Sequence, residues 1–252
     1  MQICELCQIY GVPVRETNWE KRRKFDYEPY VLIKASTQLY QNSGEGVIVY
    51  GGHSTLPQLL GYRLMRKPSK DIDSVGKEEH IKELLENRGL YSDFHYGLRE
   101  NQIILTNDSN IIIGTGLDRI HDWEVPQDFY DNSMIFSIPD IGNVRVASPE
   151  YQIMLKLRRG YENMGIKPFY GKDRIDIANI LLAPYYRSGL REVDLNELSN
   201  LVRFHITDDR SCLEKLVELA NLEKVDNLNK DERNQLKEVL TILYSSLLTP
   251  RR

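Results

Sequence analysis

The residues with the clearest potential for chemistry are two aspartates, Asp71 and Asp73, which flank Ile72. If residues 71–75 form a strand, side chains two positions apart project from the same face, so both carboxylates point the same way. Converging carboxylates repel each other unless a cation lies between them, and magnesium favours one or two carboxylates completed by phosphate oxygens and water. The pair therefore predicts a magnesium site that also receives phosphate.

A glycine pair, Gly51 and Gly52, precedes the aspartates and follows a short β-branched apolar run at 47–50. Leucines at helical spacing begin at Leu56, so this segment is predicted to run from a strand through a glycine turn into a helix. Glycine lets backbone N–H groups approach an anion, and a helix N-terminus adds partial positive charge. The turn is therefore predicted to bind phosphate.

The order of these residues resembles the nucleotidyltransferase superfamily, and within it the branch of the AbiEii-type toxins and the minimal nucleotidyltransferases. The pattern is G-G-[polar]-x-x-L from Gly51, followed by R-x-x-S-x-D-I-D ending at Asp73. In that family the glycine motif contacts a triphosphate and the D-x-D pair binds metal. The resemblance implies that Gly51, Gly52 and Ser54 face phosphate and that Asp71 and Asp73 hold magnesium.

One position departs from the family's glycine-serine dipeptide. His53 follows Gly52, and the serine comes one position later, at Ser54. His53 is interpreted as a ligand, as a hydrogen-bond donor to a nucleotide phosphate, or as a polar turn residue, and the last two are favoured equally. Because the serine hydroxyl is shifted by one position, two functions stay open: an active nucleotidyltransferase, or a related module that has lost catalytic activity.

A second stretch of resemblance lies downstream, with an S-P-E helix start at Ser148, a lysine at Lys156, and K-D-x-x-D from Lys172 to Asp176. Asp173 and Asp176 are three apart and share one helical face, and Lys156 is expected to reach a phosphate or an active-site carboxylate. The resemblance implies that Lys156, Lys172, Asp173 and Asp176 contribute to nucleotide binding. The alternative is that K-D-x-x-D is simply the start of a helix without a binding role, because acidic residues are favourable near any helix N-terminus.

Members of this family also tend to carry a third acidic residue on a later strand. Asp118, which ends the apolar run at 111–117 at about the expected distance, is assigned that place, with Asp122 and Asp140 as weaker alternatives. The resemblance then implies a two-metal site in which Asp118 binds the second magnesium ion or takes a proton from the acceptor.

The two matches together cover roughly residues 46 to 182 and imply a magnesium-dependent transferase. It would move a nucleoside monophosphate from a nucleoside triphosphate (NTP), such as ATP, to a hydroxyl of RNA, a protein or a small molecule. The toxin branch implies a toxin-antitoxin or defence role, with RNA such as tRNA or a cognate antitoxin protein as partner. The alternative is a non-catalytic nucleotidyltransferase-like module that binds nucleotide or a macromolecular partner.

The elements that position these residues follow from periodicity. Helices are predicted at 29–40 and 77–89, and strands at 47–50, 71–75, 102–106, 110–120, 133–138 and 143–147. From Ser148 helical periodicity dominates, with helix starts at Ser148 and Asp194 and leucine-rich segments at 209–223 and 229–247. The predicted fold is α+β (α/β): a nucleotidyltransferase-type mixed sheet with flanking helices in residues 1–147, then an α-helical C-terminal domain in 148–252.

Composition sets the broad class. With 252 residues, 41% hydrophobic and 28% charged, the chain has the make-up of a soluble globular protein. Its net charge of −4 provides no global positive field for nucleic acid or an anionic membrane, so RNA binding would need a local basic patch such as 21–24 or 158–159. No apolar run approaches the roughly 20 residues of a membrane span, and the first residues lack the layout of a signal peptide. A cytoplasmic protein is expected.

The cysteines favour reduced thiols. Cys4 and Cys7 have the spacing of half a zinc site, but Cys212 is the only other cysteine in the chain. A closed tetrahedral site needs two further ligands with suitable spacing, and an odd cysteine count argues against a disulfide scaffold. A zinc or redox role for Cys4 and Cys7 remains the minority interpretation.

Overall fold

The computed structural model describes residues 5, 9–10, 29–52, 71–87, 94–99, 102–107, 112–138, 140–163, 171–186, 190–214, 222 and 225–249. Its strands are β1 (Ile48–Tyr50), β2 (Asp71–Gly76), β3 (Phe94–Arg99), β4 (Gln102–Asn107), β5 (Ile112–Leu117), β6 (Arg119–Ile120), β7 (Trp123–Glu124), β8 (Met134–Ile138) and β9 (Gly142–Val146). Its helices are α1 (Pro29–Asn42), α2 (Glu78–Glu86), α3 (Gln127–Asp131), α4 (Pro149–Glu162), α5 (Gly171–Tyr186), α6 (Leu195–His205) and α7 (Lys230–Leu248). His53, Ser54, the predicted helix from Leu56, Cys4 and Cys7 lie outside the described residues.

The strands form a mixed sheet of seven in the order β3-β4-β5-β2-β1-β9-β8, beside a two-stranded ribbon of β6 and β7. β2 is parallel to β5 and β1 is parallel to β9, whereas β1 and β2 are antiparallel neighbours. The pairs β3–β4, β4–β5 and β8–β9 are also antiparallel. This mixed sheet with flanking helices confirms the predicted fold class.

One face of the sheet is covered by α1 and α2. Both helices contribute to a single buried apolar cluster with alternate residues of the strands, including Leu39 of α1, Leu84 of α2, and Val49, Ile72 and Ile113 of the sheet. Because successive side chains of a strand point to opposite faces, Ile72 enters this core while its neighbours Asp71 and Asp73 face the other way. The predicted helix at 29–40 is confirmed as α1.

The sequence prediction misses three elements of this part of the chain: β3, the β6–β7 ribbon and the short helix α3. β3 has the sequence FHYGLR, whose glycine and charges hide the alternation expected of a strand, yet all six of its residues pair with β4. The strand predicted at 110–120 is in fact two strands, because the chain turns at Asp118, where φ is +49°.

The described residues up to Ala147 form one compact unit, and those from Ser148 onward form a second. The second unit is built from α4 to α7. Ser148 caps α4 by accepting from the Tyr151 amide at 3.3 Å, and Asp194 caps α6 by accepting from the amides of Asn196 and Glu197, so both predicted helix starts are confirmed. Within the described part of the chain, no helix combines the length and apolar character needed to cross a bilayer.

Candidate functional site

The glycine turn begins where β1 ends. Gly51 has φ of +76°, a left-handed conformation that an L side chain rarely adopts. A Cβ placed on Gly51 would lie 2.9 Å from Oδ2 of Asp73, closer than real Cβ atoms approach other atoms. The absence of a side chain therefore serves two purposes here: it permits the turn, and it lets the backbone approach the Asp73 carboxylate.

The two aspartates occupy the first half of β2, on the face opposite the α1–α2 core. Asp71 is exposed and Asp73 is half-buried, whereas the intervening Ile72 is fully buried. In the sheet, Asp73 lies between Tyr50 of β1 and Gly114 of β5. We call the face that carries Asp71, Asp73, Tyr50 and Gly114 the acidic face. Both predicted metal-binding carboxylates thus project from one face and lie beside the predicted phosphate-binding turn.

Two further polar residues belong to the acidic face and were missed by the sequence analysis. Tyr50 is 5% exposed and lies directly opposite Asp73. The carboxamide of Gln102 extends over Gly114, with Oε1 3.2 Å from the position that a Cβ on Gly114 would take. Burial, followed by the negative charges of Asp73 and Asp71, raises the pKa of the Tyr50 hydroxyl well above its usual range, while the nearby Gln102 carboxamide opposes the shift. The signal for Tyr50 was its position immediately before Gly51.

Asp118, the expected third carboxylate, does not lie level with Asp71 or Asp73 in the sheet. On β5 the residue level with Asp73 is Gly114, and Asp118 lies beyond Leu117, which pairs with Gly76 at the far end of β2. At about 3.3 Å per residue, a separation of four residues corresponds to roughly 13 Å along the strand. Asp118 ends a strand, as predicted, and the parallel register puts it at the end of β5 that lies away from Gly114.

Asp118 instead stabilises the corner between β5 and β6. Its amide donates to the Gly76 carbonyl at 3.0 Å, its carbonyl accepts from the Val125 amide at 2.9 Å, and its Oδ1 accepts from the Tyr130 hydroxyl at 3.0 Å. Burial, and then the negative charge of Asp118, raises the pKa of the Tyr130 hydroxyl, which therefore remains a donor. Aspartate is among the residues that tolerate left-handed backbone. The alternatives Asp122 and Asp140 also lie in turns, between β6 and β7 and between β8 and β9.

The C-terminal unit gathers Lys156, Asp173 and Asp176 into a buried ionic cluster between α4 and α5. Lys156 Nζ lies 2.7 Å from Asp176 Oδ2 and 3.7 Å from Asp173 Oδ1. The side chains of Asp173 and Asp176 are 2% and 1% exposed, and that of Lys156 is 5% exposed. Arg159 binds Asp173 through two nitrogens, Nε at 3.1 Å and Nη2. Lys172, which directly precedes Asp173 in the sequence, is exposed.

The charges of this cluster balance, with the two cations Lys156 and Arg159 facing the two carboxylates of Asp173 and Asp176. Buried charges are costly unless they are paired and hydrogen-bonded, so the cluster stabilises the packing of α4 against α5. The sequence predicted that the two aspartates share one helical face. It also predicted a carboxylate as one of two possible partners of Lys156. It did not identify Arg159.

No group of three or more histidine, cysteine, aspartate or glutamate side chains that could hold a metal ion is found within the described residues. Asp71 and Asp73 are two such side chains, and magnesium commonly completes its shell with phosphate oxygens and water rather than with protein groups. A carboxylate pair next to a glycine turn without side chains is therefore suited to a magnesium–phosphate ligand. The residues that would contact such a ligand are Gly51, Asp71 and Asp73.

The architecture is similar to that of solved nucleotidyltransferase-like proteins. An antigenic nucleotidyltransferase-like protein from Paracoccidioides brasiliensis aligns with a TM-score of 0.50 at 17% sequence identity, over 85% of this chain and 93% of its own. The antibiotic-resistance factor ANT(2'')-Ia aligns with a TM-score of 0.48 at 15% identity, over 77% of this chain and 97% of its own. Neither a protein-family model nor a curated protein matches the sequence. The chain thus has a nucleotidyltransferase-like fold.

Substitution of Gly51 by alanine tests the close approach of the turn to Asp73. We expect a loss of about 1–2 kcal/mol in stability from the left-handed backbone alone. We also expect roughly tenfold weaker binding of magnesium-triphosphate, because the new methyl group would displace the Asp73 carboxylate, and a displacement of about 1 Å can be costly at a functional site. Thermal denaturation and calorimetric titration measure the two effects.

Gly171 provides the matched control, since a Cβ there would meet no atom within 4 Å and its φ is not left-handed. Gly171→Ala should leave binding unchanged and stability equal or slightly improved, because alanine restricts the unfolded chain. Equal binding by Gly51→Ala and Gly171→Ala would show that the turn does not constrain the acidic face.

Proposed function

We propose that this protein is a magnesium-dependent nucleotidyltransferase that moves a nucleoside monophosphate from an NTP to an acceptor hydroxyl. The observation that supports this best is the contact between the glycine turn and the carboxylate pair: Gly51 approaches Asp73 so closely that even a methyl group would collide. The turn proposed to bind phosphate and the pair proposed to bind magnesium therefore lie next to each other. Nucleotidyl transfer needs both, because the donor is a triphosphate and its charge must be neutralised.

In the proposed reaction, the acceptor oxygen forms a bond to the α-phosphorus of the NTP. The bond between that phosphorus and the oxygen bridging to the β-phosphate breaks, pyrophosphate leaves, and the hydroxyl proton passes to solvent. Asp71 and Asp73 would hold magnesium, and the backbone of Gly51 and Gly52 would receive phosphate oxygens. Magnesium held at this position would supply positive charge to offset the charge that develops on the leaving pyrophosphate.

Calorimetric titration of ATP, GTP, CTP and UTP with magnesium tests the donor site. We expect at least one NTP to bind the wild type and none to bind the Asp71→Ala, Asp73→Ala double variant. Asp122→Ala is the matched control, because this aspartate lies in the turn between β6 and β7 and should not affect binding. A folded wild type that binds none of the four triphosphates would argue against nucleotidyl transfer by this chain.

A non-catalytic module that binds nucleotide is the second candidate, and one observation favours it: the residue beside Asp73 on β5 is Gly114, not an acidic residue. Incubation with an NTP labelled at its α-phosphate separates the two. Transfer of label to bulk RNA, including tRNA, or to protein, with release of pyrophosphate, supports the enzyme. Tight binding without transfer to any of these acceptors supports the module.

The toxin branch of the sequence resemblance extends the proposal to a toxin-antitoxin or defence role, with tRNA as acceptor and an antitoxin protein as partner. Expression in a growing bacterium provides the test. Growth arrest by the wild type, absent in the Asp71→Ala, Asp73→Ala double variant, would support a toxin. Unimpaired growth at high expression of the wild type would argue against this role.

A further inference from the structure

Tyr50 is the most unusual polar residue of the acidic face. It is the last residue of β1 and lies opposite Asp73 in the antiparallel register, so its side chain projects from the same face as the carboxylate. It is 5% exposed. A phenol at the end of an apolar strand, directly before the glycine turn, is thus enclosed beside the carboxylate pair.

The hydroxyl of this side chain is buried without a well-formed hydrogen bond. Among the described residues, no group completes hydrogen-bond geometry with Tyr50 Oη. The charges of Asp73 and Asp71 and the carboxamide of Gln102 are the polar groups that act on it. Leaving a buried donor unsatisfied costs free energy, and folded proteins rarely do so without a functional reason. The folded protein therefore keeps a buried, unsatisfied O–H donor beside Asp73.

The chemistry of that donor restricts what it binds. A phenol is protonated and neutral at physiological pH, so it donates to an oxygen without adding charge. The carboxylates of Asp71 and Asp73 already provide the negative charge that would attract a cation. Among the described side chains of the acidic face, the neutral donors for the anionic part of a magnesium-triphosphate ligand are the Tyr50 hydroxyl and the Gln102 carboxamide.

We propose that Tyr50 is an additional binding residue of this site, whose buried hydroxyl donates a hydrogen bond to a phosphate oxygen of the bound triphosphate. The inference rests on the function proposed above and adds a contact to it. The Gln102 carboxamide, held over Gly114, is a polar neighbour of this hydroxyl on the acidic face. The hydroxyl acquires its missing partner only when the ligand is bound.

Tyr50→Phe tests this proposal, because it removes only the hydroxyl. We expect binding of magnesium with the most tightly bound NTP to weaken by about tenfold, the equivalent of about 1.4 kcal/mol. The melting temperature of the ligand-free variant should equal or exceed that of the wild type, because an unsatisfied buried donor has been removed. Weaker binding with undiminished stability is a combination that a purely structural hydroxyl would not produce.

Tyr40→Phe is the matched control. The Tyr40 hydroxyl donates to Glu45 Oε2 at 3.1 Å, near the start of β1 and away from the glycine turn. Removal of that satisfied hydroxyl should lower the melting temperature slightly and leave binding unchanged. A loss of stability in Tyr50→Phe as large as that in Tyr40→Phe would overturn the proposal, since it would show that the Tyr50 hydroxyl is satisfied in the ligand-free protein.

Inorganic tripolyphosphate with magnesium identifies the atom contacted, because it has no base or ribose. The same tenfold loss with tripolyphosphate supports a phosphate contact, whereas a loss seen only with the NTP assigns the hydroxyl to the nucleoside and overturns the proposal. Equal affinity of wild type and Tyr50→Phe overturns it while leaving the proposed function intact. If the wild type binds neither the NTP nor tripolyphosphate, the proposed function is wrong, and so is the proposed contact with Tyr50.

Discussion

Asp73→Asn is expected to weaken magnesium-dependent binding of triphosphate by about a hundredfold or more. Groups that merely orient metal ligands already contribute about ten- to a hundredfold in metal affinity, so the loss of a direct carboxylate ligand should cost at least the upper figure. Asparagine keeps the size of aspartate and so should disturb the contact with Gly51 little. Calorimetric titration of wild type and variant, at several magnesium concentrations, measures the effect.

Asp118→Asn is the control for Asp73→Asn, because the strand register places Asp118 away from Asp73. Asparagine can accept from the Tyr130 hydroxyl as aspartate does, and it tolerates the left-handed backbone at this position. We therefore expect Asp118→Asn to bind magnesium and triphosphate as the wild type does. A hundredfold loss in Asp118→Asn, or an undiminished affinity in Asp73→Asn, would show that the metal site is not on the acidic face.

The contrast between Asp73 and Asp118 shows what the sequence can and cannot predict. The shared orientation of Asp71 and Asp73 depends only on the alternation of side chains along one strand, which is a local property. The place of Asp118 depends on how two distant strands are aligned, and its sequence pattern, an aspartate after an apolar strand, fits either end of the sheet. Register between strands far apart in sequence is set by the whole core, so one strand's pattern does not determine it.

The same distinction applies to Tyr50 and Gln102. Tyr50 lies in a run that is predicted as a buried strand, and a tyrosine there is ordinarily part of the core. Its place beside Asp73 follows from the pairing of β1 with β2, and the place of Gln102 follows from the lack of a side chain at Gly114. The helix starts at Ser148 and Asp194 were predictable because capping is decided within a few residues.

Lys156 illustrates a residue whose chemical type was recognised from the sequence and whose partners became evident only in the structure. The sequence left a phosphate and a carboxylate open as its partner, and the described contacts are with Asp176 and Asp173. A buried lysine that holds two carboxylates is required for stability whether or not it also contributes to binding. The two roles make different predictions for its replacement by methionine.

Lys156→Met is expected to destabilise the C-terminal unit by about 3–5 kcal/mol, because it leaves buried carboxylates without their nearest cation. Methionine keeps the length of the aliphatic stem, so little of the loss should come from packing. Far-UV circular dichroism during urea denaturation measures it, since α4 to α7 contain most of the described helix. The two tryptophans, Trp19 and Trp123, both precede Ser148, so their fluorescence reports on the N-terminal part of the chain instead.

Two further variants distinguish a structural role of Lys156 from a role in ligand binding. Arg210→Met breaks a solvent-exposed pair with Glu214 in the same unit and should change the denaturation midpoint little. Lys156→Met combined with Asp176→Asn should recover part of the loss, because one uncompensated charge is then removed. If Lys156→Met denatured like Arg210→Met and yet bound triphosphate more weakly, the ammonium would act on the ligand, and the ionic cluster would not be what fixes α4 against α5.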